Sequence, residues 1–122
     1  MYYNNTSNAY DTYKNNQVNT ASRKQLLLML FDGAIKFLRF AAISIDNKSI
    51  EDSHKYIVKT EDILVELMST LNHDAGDIAK NLNDIYQHLY DELVQANMKK
   101  DKEKVLYVQS MMEELRETWA QI

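Results

Sequence analysis

The sequence predicts an all-α protein that folds as an antiparallel up-down-up-down four-helix bundle. The 122 residues include no proline and only two glycines, the two residues that most weaken helix interiors. Apolar residues make up 45% of the chain, and in four segments they recur at helical spacings of three, four and seven. Short connections between these segments make sequential helices antiparallel neighbours. This length suits one domain with a single core.

The N-terminal segment, residues 1–20, differs in composition from the rest of the chain. Its first nineteen residues contain six asparagines and four tyrosines, but no leucine, isoleucine or phenylalanine. The segment therefore lacks the apolar content to fold by itself. Two interpretations remain open. It is either a flexible tail, or a cap whose tyrosines dock on a groove of the bundle through their large apolar faces.

Residues 21–122 are expected to form the bundle, with helices at about 22–46, 49–72, 77–97 and 101–122. The first helix opens at Ser22, and Gln25 stands at the spacing of a capping box. The second begins near Ser49, and Asp101 is placed to cap the fourth. The apolar positions of the last three helices are Ile50, Ile57, Leu64 and Leu71; Ile78, Leu82, Ile85, Leu89 and Leu93; and Val105, Val108, Met112, Leu115, Trp119 and Ile122.

The first helix is apolar over more of its circumference than its own fold requires. At about 100° per residue, only Asp32, Lys36 and Arg39 form a polar strip, and that strip is narrow. A surface helix of a globular protein needs an apolar stripe of little more than about 100°. The apolar residues of this helix are Leu26, Leu27, Leu28, Met29, Leu30, Phe31, Ala34, Ile35, Phe37, Leu38, Phe40, Ala41, Ala42 and Ile43.

Three explanations of this excess apolar surface stay open. The helix is central in the bundle, it forms a homo-oligomer interface, or it binds an amphipathic helix of another protein. Tyr86 and Tyr90, one turn apart beside Leu93 and Val94, widen the apolar side of the third helix as well. Two helices with surplus apolar area favour a groove between them. Methionines such as Met29 suit an adaptable helix-binding surface because they repack at little cost.

Gly33 stands inside the first helix, where glycine costs about 1 kcal/mol relative to alanine. The sequence offers two reasons for a glycine at this position. It permits close contact with a neighbouring helix, or it permits close approach of a partner's backbone.

The sequence contains no motif for catalysis or for cofactor binding. A di-iron bundle needs two Glu-x-x-His pairs, and the chain has one, Glu51 with His54, in a first helical turn where acidic residues are expected from the helix dipole. His73 lies in a predicted loop and His88 on the polar side of the third helix. The chain has no cysteine and no glycine-rich phosphate loop. We therefore expect no enzymatic activity, no metal and no cofactor.

Charge and hydropathy exclude several classes of partner. The net charge is −4, and the one dense basic cluster, Lys99, Lys100, Lys102 and Lys104, is interleaved with acidic residues, which argues against nucleic-acid binding. Charged residues interrupt Leu26–Ile45, which argues against membrane insertion. The N-terminus lacks the basic and apolar regions of a secretory signal. The absence of cysteine fits a reducing compartment without proving one.

Several short stretches, in this order and at this spacing, resemble one known family. The chain resembles the flagellin-specific export chaperones, the FliS family, from about Tyr10 to the last helix. The stretches are Thr20-Ala21-Ser22, Leu26–Asp32 with Gly33-Ala34-Ile35, Ile78-Ala79-Lys80-Asn81-Leu82 with Ile85-Tyr86, Leu93-Val94-Gln95-Ala96-Asn97, and Glu114-Leu115-Arg116-Glu117-Thr118-Trp119.

The resemblance implies a helical bundle of the bacterial cytosol that binds the disordered C-terminal segment of flagellin. Such a chaperone prevents premature polymerisation and helps to present the subunit to the flagellar type III export gate. By the resemblance, client contact falls on the exposed side of the first helix and on a flank of the third. The client-binding residues it implies are Leu28, Met29, Ile35, Ala42, Ile43, Tyr86 and Tyr90.

The resemblance also gives the N-terminal segment a role. Tyr10 matches an N-terminal tyrosine of the family and is assigned to a mobile cap or to contact with the export gate. Two features depart from the family pattern. Arg23 stands where many members have a proline, which affects the start of the first helix, and the N-terminus is unusually rich in asparagine.

A second function remains an alternative at this point. A bundle with surplus apolar surface can self-associate through its first helix and serve as a structural or adaptor module without a secretion client. A homodimer is also compatible with the chaperone when no client is bound. A metal-dependent oxidoreductase is a third hypothesis, and the sequence supports it least.

Overall fold

A computed structural model describes residues 22–72, 74 and 76–122. These residues form four α-helices and no strand. The helices are α1 (Arg23–Asp46), α2 (Ile50–Ser69), α3 (Asp77–Lys99) and α4 (Lys102–Ala120). The prediction of an all-α four-helix bundle is confirmed. The N-terminal segment and its Tyr10 lie outside the described residues, as do His73 and Ala75 of the predicted loop.

Each helix packs against two neighbours. Helix α1 contacts α2 and α4, and α3 contacts the same two helices, while α1 and α3 lie at opposite corners of the bundle. Helix α1 is therefore not surrounded on several sides, which removes the central-helix explanation of its apolar surface. Among the described helices, none is both long and apolar enough to cross a membrane.

Two of the three expected N-terminal caps are present. The Ser49 hydroxyl accepts a hydrogen bond from the Asp52 backbone N–H at 3.3 Å, and the Asp101 carboxylate accepts one from the Lys104 N–H at the same distance. The capping box predicted at Ser22 is wrong. Ser22 has φ −81° and ψ −2°, which is helical rather than extended, so its side chain makes no cap hydrogen bond.

The C-terminal ends of α1 and α3 share one geometry. Lys48 (φ 58°), two residues after the end of α1, and Lys100 (φ 50°), directly after α3, adopt the left-handed conformation. The next N–H groups, of Ser49 and Asp101, then bond to Ser44 and Ala96 carbonyls at 2.9 and 3.0 Å, which is the Schellman arrangement. Because the turn comes at residue 100, α3 is two residues longer than predicted. Helix α2 ends three residues earlier than predicted, at Ser69.

The core runs along the axis between the four helices. Most of the apolar positions that define the helical spacing are in it or against it, but Ile50, Ile78 and Ile122 are between 70% and 78% exposed. Each of these three lies at or next to a helix end, where no neighbouring helix covers it. The buried apolar residues are Phe31, Ala34, Ile35, Leu38, Ala41, Ala42, Ile57, Leu64, Leu67, Ala79, Tyr86, Leu89, Leu93, Ala96, Val105, Val108 and Met112.

Candidate functional site

The structure divides the five residues predicted on α1 into two groups. Met29 is 68% exposed, Ile43 is 50% exposed and Leu28 is partly exposed. Ile35 and Ala42 are 8% and 6% exposed and belong to the core cluster. Ile35 and Ala42 are seven residues apart and so share the face of α1 that points into the bundle. Burial corrects the expectation that these two side chains are exposed.

The two tyrosines predicted as client contacts on α3 also differ in their exposure. Tyr86 is 1% exposed and is a core residue, whereas Tyr90 is partly exposed. Burial raises the pKa of the Tyr86 hydroxyl, and a hydrogen bond from the Trp119 side chain opposes this shift. The hydroxyl therefore stays neutral, and Tyr86 belongs to the core rather than to an exposed flank of α3.

The exposed apolar residues of α1 lie on the side that faces away from the bundle. Met29 and Ile43 are fourteen residues apart, and Lys36 lies midway between them, so the three share one face of the helix. Phe40, which is 38% exposed, extends this surface toward α2. We call Met29, Phe40 and Ile43 the outer strip. It accounts for the excess apolar circumference seen in the sequence.

A cavity of about 680 Å³ opens at one end of the bundle. At this end α1 and α3 begin and α2 and α4 finish. Its apolar lining includes Leu26, Leu82, Tyr86 and Trp119, and the largely exposed Ile78 also borders it. The full lining is Arg23, Leu26, Leu27, Ser69, Thr70, Leu71, Asn72, Ile78, Ala79, Leu82, Tyr86 and Trp119.

Sequence reasoning missed this cavity apart from Tyr86. The signal was available, because an antiparallel order brings the start of the first and third helices to the end of the second and fourth. Leucines and a tryptophan at those four helix ends then lie together. The cavity also borders the point where the N-terminal segment joins the bundle, since Arg23 lines it and residues 1–21 precede Ser22 directly.

A third apolar surface lies between α2 and α3. His54 Nδ1 and the Asn97 side-chain amide are 2.9 Å apart and join the two helices near one end. Starting from this contact, the next α2 residues on the same side of the helix are Val58, Glu61 and Val65. The next residues on this side of the antiparallel α3 are Val94 and Tyr90. Helical spacing places these five residues along one side of the α2–α3 contact, which we call the α2–α3 cleft.

Glu61 is the one carboxylate of the α2–α3 cleft. Burial raises the pKa of its carboxyl, the neighbouring charge of Asp62 raises it further, and His54 opposes the shift. An anion held beside valines is less well hydrated than one in water, which is the origin of the raised pKa.

The described residues contain no group of three or more His, Asp or Glu side chains that could hold a metal ion. His54 is occupied by Asn97, and His88 Nε2 lies 3.0 Å from the Tyr107 hydroxyl. The geometry that remains is apolar: an end cavity, an outer strip and an α2–α3 cleft. Such surfaces bind amphipathic segments of other chains.

Comparisons with known proteins point to one family. The family model described as "Flagellar protein FliS" matches residues 6–122. The flagellar secretion chaperone FliS of Bacillus subtilis (strain 168) is 36% identical over 114 residues, which are 93% of this chain and 85% of that protein. The protein of the same name from Campylobacter jejuni is 29% identical over 93% of this chain and 90% of its own length. The Salmonella typhimurium protein is 31% identical over 86% and 79%.

Proposed function

The chain belongs to the FliS family of flagellar proteins, and from this membership we propose that it is a flagellar secretion chaperone. In this proposal it binds the C-terminal segment of flagellin in the bacterial cytosol. It prevents premature polymerisation of that client and assists its type III export. Its action is binding rather than catalysis.

The observation that carries the proposal is the open apolar cavity at the end of the bundle. A volume of about 680 Å³ is within the range of ligand pockets and exceeds the space that one side chain fills. An amphipathic helix fits such a space because it presents several apolar side chains on one face. Each apolar side chain that leaves water contributes roughly 25 cal/mol per Å² buried.

The outer strip supports the same proposal. Met29 and Ile43 leave large apolar side chains in water, and Leu28 is partly exposed beside them. A client that is disordered when free and folds on binding can wrap around a bundle and cover surfaces that are far apart. We propose that it contacts Leu28, Met29 and Ile43 on α1, and Tyr90 in the α2–α3 cleft.

The three buried residues have a supporting role in this proposal. Ile35 and Ala42 lie beneath the surface of α1, and Tyr86 forms part of the cavity wall. They shape the site, and a client reaches Tyr86 only from inside the cavity. We propose that Tyr10, in the N-terminal segment, caps the binding surface or contacts the export gate.

The chain has a single tryptophan, and it lines the cavity. A synthetic peptide of the flagellin C-terminal segment should therefore change the emission of Trp119 as it binds. We expect a one-to-one complex with a Kd of 10 µM or tighter, on the order of −7 kcal/mol or better. Calorimetry at several temperatures should give a large negative heat-capacity change. No heat and no change in emission at tens of micromolar, roughly −6 kcal/mol, would overturn the proposal.

Met29→Asp and Met98→Asp form a matched pair for mapping the client surface. Both methionines are largely exposed, Met29 on the outer strip of α1 and Met98 near the end of α3. If the outer strip binds the client, Met29→Asp should weaken binding about tenfold, because burying a new carboxylate is costly. Met98→Asp should leave binding unchanged.

The outer strip also favours the second candidate, self-association without a secretion client. Two copies of α1 could cover Met29 and Ile43 in a two-fold interface. Sedimentation of the free protein over a wide concentration range tests this directly. A dimer that persists when the flagellin peptide is added, with no peptide bound, would favour the adaptor function.

A further inference from the structure

A cluster of aromatic and lysine side chains covers the groove between α1 and α2. The Phe37 and Tyr56 rings stack with their centroids 6.1 Å apart, and Phe40 lies 5.2 Å from Tyr56. Three ammonium groups lie over these rings. The Nζ atoms of Lys36 and Lys59 are 5.4 and 5.6 Å from the Phe37 centroid. We call the whole cluster, including Lys55 with its Nζ 4.9 Å from the Tyr56 centroid, the lysine–aromatic surface.

The three lysines of this surface have no carboxylate within 4 Å among residues 22–72, 74 and 76–122. In that part of the chain the ion pairs are formed by Lys80, Lys102, Lys104 and Arg116. Lys55 and Lys59 are four residues apart on α2, a spacing at which like charges repel. Lys36 adds a third positive charge from α1. Three lysines without a carboxylate partner at this distance, on a chain of net charge −4, indicate a surface on which a carboxylate from outside can form ion pairs.

We propose that the lysine–aromatic surface binds an acidic, partly apolar segment of a partner protein. A carboxylate between Lys55 and Lys59 relieves their repulsion, and a second one pairs with Lys36. The exposed part of Phe40 takes an apolar side chain of the same segment. The inference goes beyond the proposed chaperone function, because it concerns the three lysines and an acidic partner and does not depend on the identity of the client. The two surfaces adjoin, and Phe40 belongs to both.

The size and surroundings of the lysine–aromatic surface favour a protein segment as its partner over an extended polyanion such as a nucleic acid or an anionic membrane. Recruitment to anionic membranes takes clusters of about four to eight basic residues, and nucleic-acid binding takes a basic stripe along the protein. Here there are three lysines. Moreover, α2 also carries Glu51, Asp52, Glu61, Asp62 and Glu66, which would repel an extended polyanion. One or two carboxylates flanked by apolar groups fit the local charge.

The N-terminal segment of the chain itself does not have the required chemistry. Residues 1–21 contain one acidic residue, Asp11, and one basic residue, Lys14. Their charges cancel, so this segment offers no surplus carboxylate to the three lysines. An acidic segment from a different protein is therefore the occupant that the charges favour.

Two synthetic peptides test the proposal on the full-length chain. The first is an amidated amphipathic peptide of about 18 residues, which is long enough for a helix of five turns. It carries leucine on one face and glutamate on the other. The second has glutamine in place of every glutamate. We expect the glutamate peptide to bind, with an affinity that falls as salt is raised, and the glutamine peptide to bind about tenfold more weakly.

Variants then locate the binding surface. The double substitution Lys55→Gln/Lys59→Gln should lower the affinity for the glutamate peptide about tenfold. The control, Lys80→Gln/Lys99→Gln, makes the same change in net charge and should leave that affinity unchanged. Circular dichroism confirms that both variants keep their helices. Equal binding of the two peptides, or equal binding by the two variants, overturns the proposal.

Two further measurements exclude the other occupants. If anionic phosphatidylglycerol vesicles bind through Lys55 and Lys59 and the glutamate peptide does not, the surface is a membrane contact and the proposal is wrong. If instead the same lysine substitutions abolish self-association of the free protein, the occupant is a second copy of the chain, and the proposal is equally wrong.

Discussion

A Cβ atom added to Gly33 of α1 would lie 3.5 Å from the Cδ1 atom of Ile63 on α2. This is an ordinary van der Waals distance, so a methyl group fits without displacing either helix. Gly33 therefore faces the neighbouring helix, as one of its two explanations requires, but packing at this distance does not demand a glycine. Gly33 is also four residues from Met29 and seven from Phe40, so it borders the outer strip as well.

Gly33→Ala should stabilise the protein. Alanine in a helix interior is favoured over glycine by about 0.5–1 kcal/mol, and the added methyl gains a contact with Ile63. The free energy of unfolding in urea should rise by about this amount, and binding of the flagellin peptide should not change. A loss of binding with retained stability would instead support close approach of a partner backbone at this residue.

Gly76→Ala should have the opposite effect. Gly76 precedes α3 with φ +70° and ψ −130°, a conformation that is essentially restricted to glycine. Nothing lies within 4 Å of an added Cβ, so the cost comes from the backbone alone, about 1–3 kcal/mol. The urea midpoint should fall, and Gly33→Ala is its control because the same substitution there has the opposite sign.

Glu61→Gln should raise the melting temperature at pH 7. The pKa of Glu61 is higher in the folded protein than the usual 4.5, so the folded state binds a proton more tightly than the unfolded state does. Stability from this group is therefore greatest below pH 4.5 and falls as the pH rises through the folded pKa. Glutamine removes the buried charge, and its advantage should disappear at low pH.

The control for this substitution is Glu66→Gln, on the same helix but with an exposed side chain. It should leave the melting temperature nearly unchanged at both pH values. Equal effects of the two substitutions would show that net charge, rather than burial of Glu61 in the α2–α3 cleft, controls the stability.

Ile35→Asp and Ile43→Asp should separate core from surface on α1. Ile35 is 8% exposed and Ile43 is 50% exposed. An unpaired carboxylate at Ile35 should cost about 3–5 kcal/mol and largely abolish helical circular dichroism. Ile43→Asp should keep the helical signal and weaken flagellin-peptide binding. Retention of the fold by Ile35→Asp would contradict the packing of α1 described here.

The helices could be predicted from the sequence because their periodicity is a local property. Runs of apolar residues at helical spacing and a chain without proline were enough to place all four, and Ser49 and Asp101 marked two starts. The missed ends depended on backbone conformation. Lys48 and Lys100 adopt the left-handed turn that usually calls for glycine, and a lysine carries no signal for it.

The site was harder to predict because it depends on tertiary neighbours. A helical wheel shows that Met29 and Ile35 are both apolar, but only the positions of α2 and α4 decide which one is covered. The end cavity has the same origin. Leu26, Leu82 and Trp119 belong to three different helices and come together only when the helices are arranged in space.

The two ends of the bundle are connected differently. At one end, residues 47–49 join α1 to α2 and residues 100 and 101 join α3 to α4, with an ion pair of 2.9 Å between Lys102 and Asp46 beside them. At the cavity end the link between α2 and α3 is longer, residues 70–76, and this is also the end at which α1 begins and α4 finishes. Amide hydrogen exchange should therefore be slow at the first end and fast at the second. If the proposed client enters at the cavity end, we expect the helices to separate there while the short turns at the far end hold them in register, so that loading needs no global unfolding.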